Sequence, residues 1–304
     1  DCIKFQTFKA EKIVTKNAPK ASYQKITTEI NESQYEMLKK LELSYSEFKQ
    51  VFNYCKKAKI EFLSTPYNFN DVDMLNDLGV NSFKIASAQL TEIPFLKYVA
   101  KKKKKMIIST GMSDLSDVFS AVQAIRETGN NKITVLQCTT NYPSSINEAN
   151  LLAMGTIKKA CGVKVGYSDH TKGNLACFAS VALGAKIIEK HFTLDKKLPG
   201  PDHSSSLNPE EFKNLVNGIR QIEKSLGSRL KEITKDEKEN ILGMKRSLVS
   251  TRNIQIGDII EAKDIEFKRP ANGLNVNLIN TIIGKKAKIN ILIDEPFLYK
   301  SIEW

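Results

Sequence analysis

Residues 163–192 read VKVGYSDHTKGNLACFASVALGAKIIEKHF. Two strand-like runs, Val163 to His170 and Lys186 to Phe192, enclose residues 173–183, whose apolar positions recur at helical spacing. A strand, a helix and a second strand in that order make a parallel pair, because a tight hairpin is absent and the helix must cross over the sheet. Side chains alternate along a strand, so Glu189 and His191 point one way and Lys190 the other. His170 closes the first strand, and neighbouring strands lie roughly 4.8 Å apart. The two imidazoles can therefore share one divalent ion, with carboxylates at Asp169, Glu189 and Asp202 close by in sequence or on the same rim. Nitrogen ligands with oxygen partners suit manganese, iron, cobalt or zinc better than calcium. The third histidine of the chain is His203, so all three fall within the 34 residues from 170 to 203.

Working outward, the same unit repeats. Strands are expected at Cys2–Phe5, Ile60–Ser64, Ser82–Ile85, Met106–Ser109, Ile133–Gln137, Val163–Tyr167 and Lys186–His191, and helices at 46–58, 70–78, 92–101, 114–127, 147–160, 173–183 and 208–226. Polar loops follow the strands: Ser64-Thr65-Pro66, Ala86-Ser87, Ser109-Thr110-Gly111, Thr139 to Pro143 and Ser168 to His170. Successive β-α units with chemical residues after each strand predict an eight-stranded barrel with its site at the C-terminal rim. Seven units are countable, and the chain opens inside a strand without an initiator Met, so a first β-α unit is expected to precede Asp1 in the natural protein. Beyond the barrel, expected over 1–235, a charged linker at 236–245 leads to short strand-like runs over 246–304, read as a small, mostly-β domain.

Composition narrows the function classes. The 304 residues are 41% hydrophobic and 26% charged, ordinary for a soluble globular protein. No apolar run approaches the roughly 20 residues that span a bilayer, and no secretory leader opens the chain, so the expected location is the cytoplasm without membrane attachment. Five cysteines, Cys2, Cys55, Cys138, Cys161 and Cys177, form no CxxC pair and are odd in number, which argues against a disulfide framework and assigns Cys138 to packing. The net charge of +12 is spread through every segment. Its one block, Lys101 to Lys105, falls where a helix should end and a strand begin, complementing the helix dipole. Without a nucleic-acid motif, the charge reads as attraction for an anionic small substrate.

Several loops carry a resemblance. Lys4-Phe5-Gln6, Phe62-Leu63-Ser64-Thr65-Pro66, Phe83-Lys84-Ile85-Ala86-Ser87, Ser109-Thr110-Gly111-Met112, Gly166-Tyr167-Ser168-Asp169-His170, Glu189-Lys190-His191-Phe192 and Pro199-Gly200-Pro201-Asp202-His203 resemble the sialic acid synthase family. Lys268-Arg269-Pro270 and Gly273 resemble the antifreeze-like domain that ends those enzymes. The resemblance implies a metal-dependent condensation of phosphoenolpyruvate with the open-chain aldehyde of an N-acetylated amino sugar, giving a nine-carbon 2-keto acid and phosphate. N-acetylmannosamine is the expected acceptor, with N-acetylneuraminate as product; a diacetamido hexose leading to legionaminate or pseudaminate is the alternative.

On that resemblance, Lys4, Thr65, Lys84, Ser87, Ser109 and Ser168 cradle phosphoenolpyruvate, and Lys4, Lys84 and Glu189 act in the chemistry. His170 and His191 hold manganese or magnesium, and Gln6, Gln89, Thr140, Tyr142, Asp202 and Arg269 contact the sugar. Arg269 would enter the site of a partner subunit, making the active unit a homodimer with exchanged domains. Gln89 stands where many members carry glutamate and Thr140 where some carry asparagine, changes that bear on the sugar more than on the reaction. The rivals are a Schiff-base aldolase using Lys84 or Lys190, which needs no metal, and a polysaccharide-binding module in which the lysines and histidines are dispensable.

Overall fold

The computed structural model describes residues 1–29 and 31–304, and the side chains of all of these except Ile26 and Thr27. The chain divides into two compact units, Asp1–Gly227 and Ser228–Trp304.

The first unit is a curled α/β sheet. Strand β1 (Cys2–Thr7) is followed by three short helices, α1 (Ala10–Ile13), α2 (Ser22–Thr27) and α3 (Gln34–Lys39). The alternation then becomes regular: α4 (Tyr45–Lys57), β2 (Glu61–Pro66), α5 (Phe69–Leu78), β3 (Ser82–Ile85), α6 (Ile93–Lys101), β4 (Lys105–Ser109), α7 (Leu115–Glu127), β5 (Ile133–Cys138), α8 (Ala153–Cys161), β6 (Lys164–Asp169), α9 (Leu175–Ala182), β7 (Ile188–Lys190) and α10 (Pro209–Ser225). All the strand pairs are parallel: β1 lies on β2, and β3 to β7 run in sequence order. The seven expected strands and seven expected helices are present with ends shifted by at most two residues, except that the helix expected from 147 begins at Ala153 after a 3-10 turn at Ile146–Glu148.

Local sequence explains the elements. In α4, Ser44 caps the Glu47 amide while Glu47 returns to the Ser44 amide, and Phe48, Phe52 and Cys55 recur at i, i+4 and i+7 on the buried face. Helix α5 starts under an Asn68 cap and stops at Gly79, whose φ of 86° only glycine adopts without strain. The inner strands are buried on both faces, as parallel strands covered by helices must be, and Ile85, Ile108, Val135 and Val165 join Leu96, Val99, Val122 and Ile157 of the helices in one core. The Lys101 to Lys105 block lies at the α6–β4 junction as expected. Lys102 bonds Asp73, and Lys103 and Lys104 donate to the Thr128 and Val80 carbonyls.

One close approach sets the site. A Cβ on Gly166 would lie 2.4 Å from the Ile187 carbonyl oxygen and 2.6 Å from Leu136 Cδ2, so glycine alone lets β6 settle between its neighbours. That register aligns Ser168 with Glu189 and Asp169 with Lys190.

The second unit carries α11 (Lys235–Met244), covering most of the stretch expected as a linker, then β8 (Ser247–Ser250) antiparallel to β9 (Ile265–Lys268), and α12 (Ile279–Ile282). Single bridges such as Ile254 to Ile291 and Ala287 to Ile302 continue the β character. Its core gathers Leu248, Ile254, Ile260, Leu274, Ile282, Phe297 and Ile302, and Arg252 grips the buried Asp264 with two parallel bonds of 2.8 and 3.1 Å. Among the described residues no helix is long and apolar enough to cross a membrane.

Candidate active site

The C-terminal ends of β1 to β7 surround a cavity of about 950 Å³. Of the residues expected to act, Lys4, Gln6, Thr65, Lys84, Ser87, Gln89, Ser109, Thr140, Tyr142, Ser168, His170, Glu189, His191 and Asp202 all line it. Arg269 lies in the second unit, exposed after β9.

At the floor, Glu189 sits between two lysines. Its Oε1 is 3.1 Å from Lys4 Nζ and 3.6 Å from Lys84 Nζ, and accepts a 2.9 Å bond from Ser168 Oγ. Because Lys4 comes from β1 and Glu189 from β7, the first and last strands of the unit meet across this ion pair. Burial alone would raise the Glu189 carboxyl, but the two ammonium groups and the serine outweigh it and hold the group well below the usual carboxylate range. Glu189 is therefore an ionised acceptor at neutral pH and not a proton donor.

Lys84 is buried, donating to Ser109 Oγ at 2.6 Å and to the Ile85 carbonyl at 3.0 Å. Desolvation pushes its ammonium down to about 8, with Lys4 adding to the fall and Glu189 opposing it. The floor thus presents two cations and several hydroxyls to one anion, the combination suited to a phosphate and carboxylate.

Higher on the rim, the His170 and His191 rings meet edge to face with centroids 5.2 Å apart, and Tyr142 packs on both. His170 Nδ1 lies 2.7 Å from the Thr139 carbonyl, which can only accept, so Nδ1 carries the proton and Nε2 keeps its lone pair. His191 Nδ1 faces Asp202 Oδ2 at 3.4 Å, which favours the same tautomer. Histidine ligands of metals are held in this way, their second nitrogen donating to a carbonyl or carboxylate. Asp202 Oδ1 is buried with no hydrogen-bond partner among the described residues. The donor set fits a divalent ion as far as two imidazoles go. No group of three or more His, Cys, Asp or Glu side chains is placed to chelate one among the described residues, so further coordination would come from substrate or water oxygens.

Two sequence expectations change. Asp169 does not join the histidines: it points to the other side of β6, where Lys190 Nζ lies 2.6 Å from its Oδ2 and also bonds the Thr171 and Gly173 carbonyls. The pair is almost wholly buried, and Cys177 adds a bond to the same carboxylate. Lys190 is thereby a strut between β6 and β7 and turned away from the cavity that a Schiff-base nucleophile would need to reach. Replacing Lys190 by Met leaves Asp169 charged and buried, so Lys190→Met should destabilise the first unit by about 3–5 kcal/mol, while Lys190→Arg retains most of the stability. Denaturant unfolding of both variants checks this.

Cys138, assigned to packing, borders the cavity, with Sγ 3.8 Å from His170 Nδ1 and 3.6 Å from Ser87 Oγ. Burial raises its thiol, but hydrogen bonding to His170, helped by Ser87 and Lys84, brings it below its ordinary value.

The sequence also gave no warning of the wall that residues 8–43 add, with Phe8, Val14, Tyr23, Gln24, Met37 and Leu43 lining the same cavity. The signal available was the Ser33–Glu36 spacing, which caps α3 reciprocally. Helices of four to six residues are too short for apolar periodicity to show. His203 takes no part in the cavity lining and bonds Thr193 Oγ1 at 2.7 Å.

Residues 1–231 match the NeuB family and residues 245–303 the SAF domain. The chain is 46% identical over 297 residues to an N,N'-diacetyllegionaminic acid synthase of Campylobacter jejuni, covering 97% of this chain and 89% of the relative. It is 41% identical over 307 residues to the synthase of that name from Legionella pneumophila, covering 100% of this chain and 86% of the relative. A solved N-acetylneuraminic acid synthetase from Leptospira borgpetersenii, in complex with citrate, superposes with a TM-score of 0.68 at 31% identity over 79% of each chain.

Proposed function

This chain belongs to the NeuB family, and from that premise we propose that it condenses phosphoenolpyruvate with the open-chain form of a diacetamido hexose to give a legionaminate-type nine-carbon 2-keto acid and phosphate. The observation that carries the reaction is the pairing of Lys4 and Lys84 around Glu189 beneath two edge-to-face imidazoles. The relatives support the choice of acceptor. The diacetamido hexose, the alternative of the sequence reading, is preferred to N-acetylmannosamine because the similar synthases from Campylobacter jejuni and Legionella pneumophila are named for a product with two acetyl groups.

In this reading, phosphoenolpyruvate displaces Glu189 as the counter-ion of Lys4 and Lys84, with Thr65, Ser87, Ser109 and Ser168 donating hydroxyls to its oxygens. A divalent ion on His170 and His191 would supply Lewis acidity at the aldehyde oxygen. The enol carbon of phosphoenolpyruvate forms the new bond to the aldehyde carbon, water adds at the former enol C2, and the aldehyde oxygen takes the proton that this water gives up. The C2–O bond to phosphate then breaks, and phosphate leaves with the remaining hydroxyl proton as the 2-keto group forms. Glu189, no longer the counter-ion of the two lysines and still ionised, is placed to accept a hydrogen bond from that water. Gln6, Tyr142, Thr140 and Asp202 orient the sugar; Tyr142 remains a neutral phenol because burial raises it. Arg269 is proposed to reach the acceptor from a second copy of the chain, in a dimer with exchanged domains.

The test is acceptor choice. With manganese and phosphoenolpyruvate, a diacetamido hexose should be used with a kcat/KM at least about tenfold above that for N-acetylmannosamine, since one well-placed group in a pocket is worth roughly that much. Preference for N-acetylmannosamine would restore the monoacetamido acceptor.

A further inference from the structure

The cavity holds more than an anion floor and a metal rim, and its remaining wall is chemically specific. Gln89 is 2% exposed, lines the cavity, and leaves its Oε1 without a hydrogen-bond partner among the described residues. The amide's orientation is set by its other end. Nε2 lies 3.4 Å from the Tyr67 carbonyl, which only accepts, so the nitrogen must face it and the oxygen is left as an acceptor lacking a donor. A buried acceptor without a donor is unfavourable, and in a substrate cavity the natural source of the donor is the substrate.

Tyr67 links this acceptor to an apolar surface. Its ring meets Phe8 edge-on with centroids 6.0 Å apart, and Phe8 and Met37, both buried, continue the cavity lining into residues 8–43. A hydroxyl would satisfy Gln89 and leave that apolar surface unfilled. A secondary amide ending in a methyl group carries an N–H donor and an apolar terminus within a few bonds of each other.

We propose that Gln89, Tyr67 and Phe8 form an acylamido subsite that takes the acceptor's acetamido group farther from the aldehyde, with its N–H on Gln89 Oε1 and its methyl against Phe8. This rests on the synthase reading above and adds the residues that select the acceptor within it. The buried carboxylate that a glutamate at this position would bring is absent, so the subsite is neutral and matched to a neutral amide.

The experiment is a comparison of kcat/KM for a diacetamido hexose and for N-acetylmannosamine, on the wild-type full chain and on Gln89→Met and Phe8→Ala, each with its melting temperature. Gln89→Met should lose roughly 10- to 100-fold more on the diacetamido sugar than on N-acetylmannosamine, and Phe8→Ala should lose in the same selective sense. Equal losses on both acceptors in both variants, or an unchanged ratio, would overturn the subsite while leaving the synthase intact. Absence of phosphate release by the wild type with either sugar would overturn the synthase reading and the subsite with it. Phe8→Ala keeps the question answerable if Gln89→Met does not fold.

Discussion

Lys84→Met should lower kcat/KM for phosphoenolpyruvate by about 10³-fold, the upper range for loss of one preorganised charge-stabilising donor, with little effect on the fold. The ammonium is buried, bonded to Ser109 Oγ at 2.6 Å, and faces Glu189 at 3.6 Å. Met occupies similar volume without charge, and Glu189 retains Lys4 at 3.1 Å as counter-ion. Steady-state kinetics and direct phosphoenolpyruvate binding check the claim, and activity within threefold of wild type would remove Lys84 from the anion cradle. A pH signature accompanies it. Because desolvation lowers the folded-state ammonium to about 8 from the ordinary 10.5, wild-type kcat/KM for phosphoenolpyruvate should fall above pH 8 as the cation is lost, by up to about tenfold per pH unit. Folding moves the other way. Between pH 8 and 10.5 the unfolded chain binds the proton that the folded chain has released, so the Lys84 contribution makes stability rise with pH across that window. Lys84→Met should flatten both trends.

His191→Ala should reduce turnover by roughly three orders of magnitude, in line with the several kcal/mol that Lewis-acid stabilisation supplies at 1.36 kcal/mol per tenfold. The same change leaves Asp202 Oδ2 without its imidazole partner at 3.4 Å, so His191→Gln serves as a control for the local hydrogen bond. The decisive comparison is non-additivity: a chelator should inactivate the wild type and subtract nothing further from His191→Ala, as expected for groups acting as one unit. Full activity of His191→Ala, or equal chelator sensitivity of both proteins, would sink the metal assignment. Manganese affinity of the two proteins, measured without substrate, provides a readout independent of turnover.

The barrel was legible because each β-α unit is locally consistent. Residues 46–58 and 114–127 carry both an apolar stripe and a cap, and β3 to β6 are short β-branched runs between polar turns. The rim residues were legible through period-two alternation, which put Glu189 and His191 on one face and turned Lys190 away. Three things were not. Asp169 belongs to the outward face of β6, but sequence adjacency to His170 suggested a ligand. Cys138 is buried as expected of a packing residue, but a thiol after a strand gives no sign that it also borders the cavity beside a histidine 32 residues away. Ala10–Ile13, Ser22–Thr27 and Gln34–Lys39 are helices of four to six residues, below the length at which periodicity reports. Described residues of the 8–43 segment line the same cavity as the strand-end motifs, so a share of the site lay outside what motifs and periodicity report.

The synthase reaction is read out by following phosphate and 2-keto acid together when the protein is given phosphoenolpyruvate, manganese and a diacetamido hexose. Acceptor-dependent release of phosphate is expected, in equal amount to a keto acid whose mass is that of the acceptor plus pyruvic acid, and abolished by chelator. Phosphate released without the sugar, or keto acid formed undiminished in chelator, would contradict it.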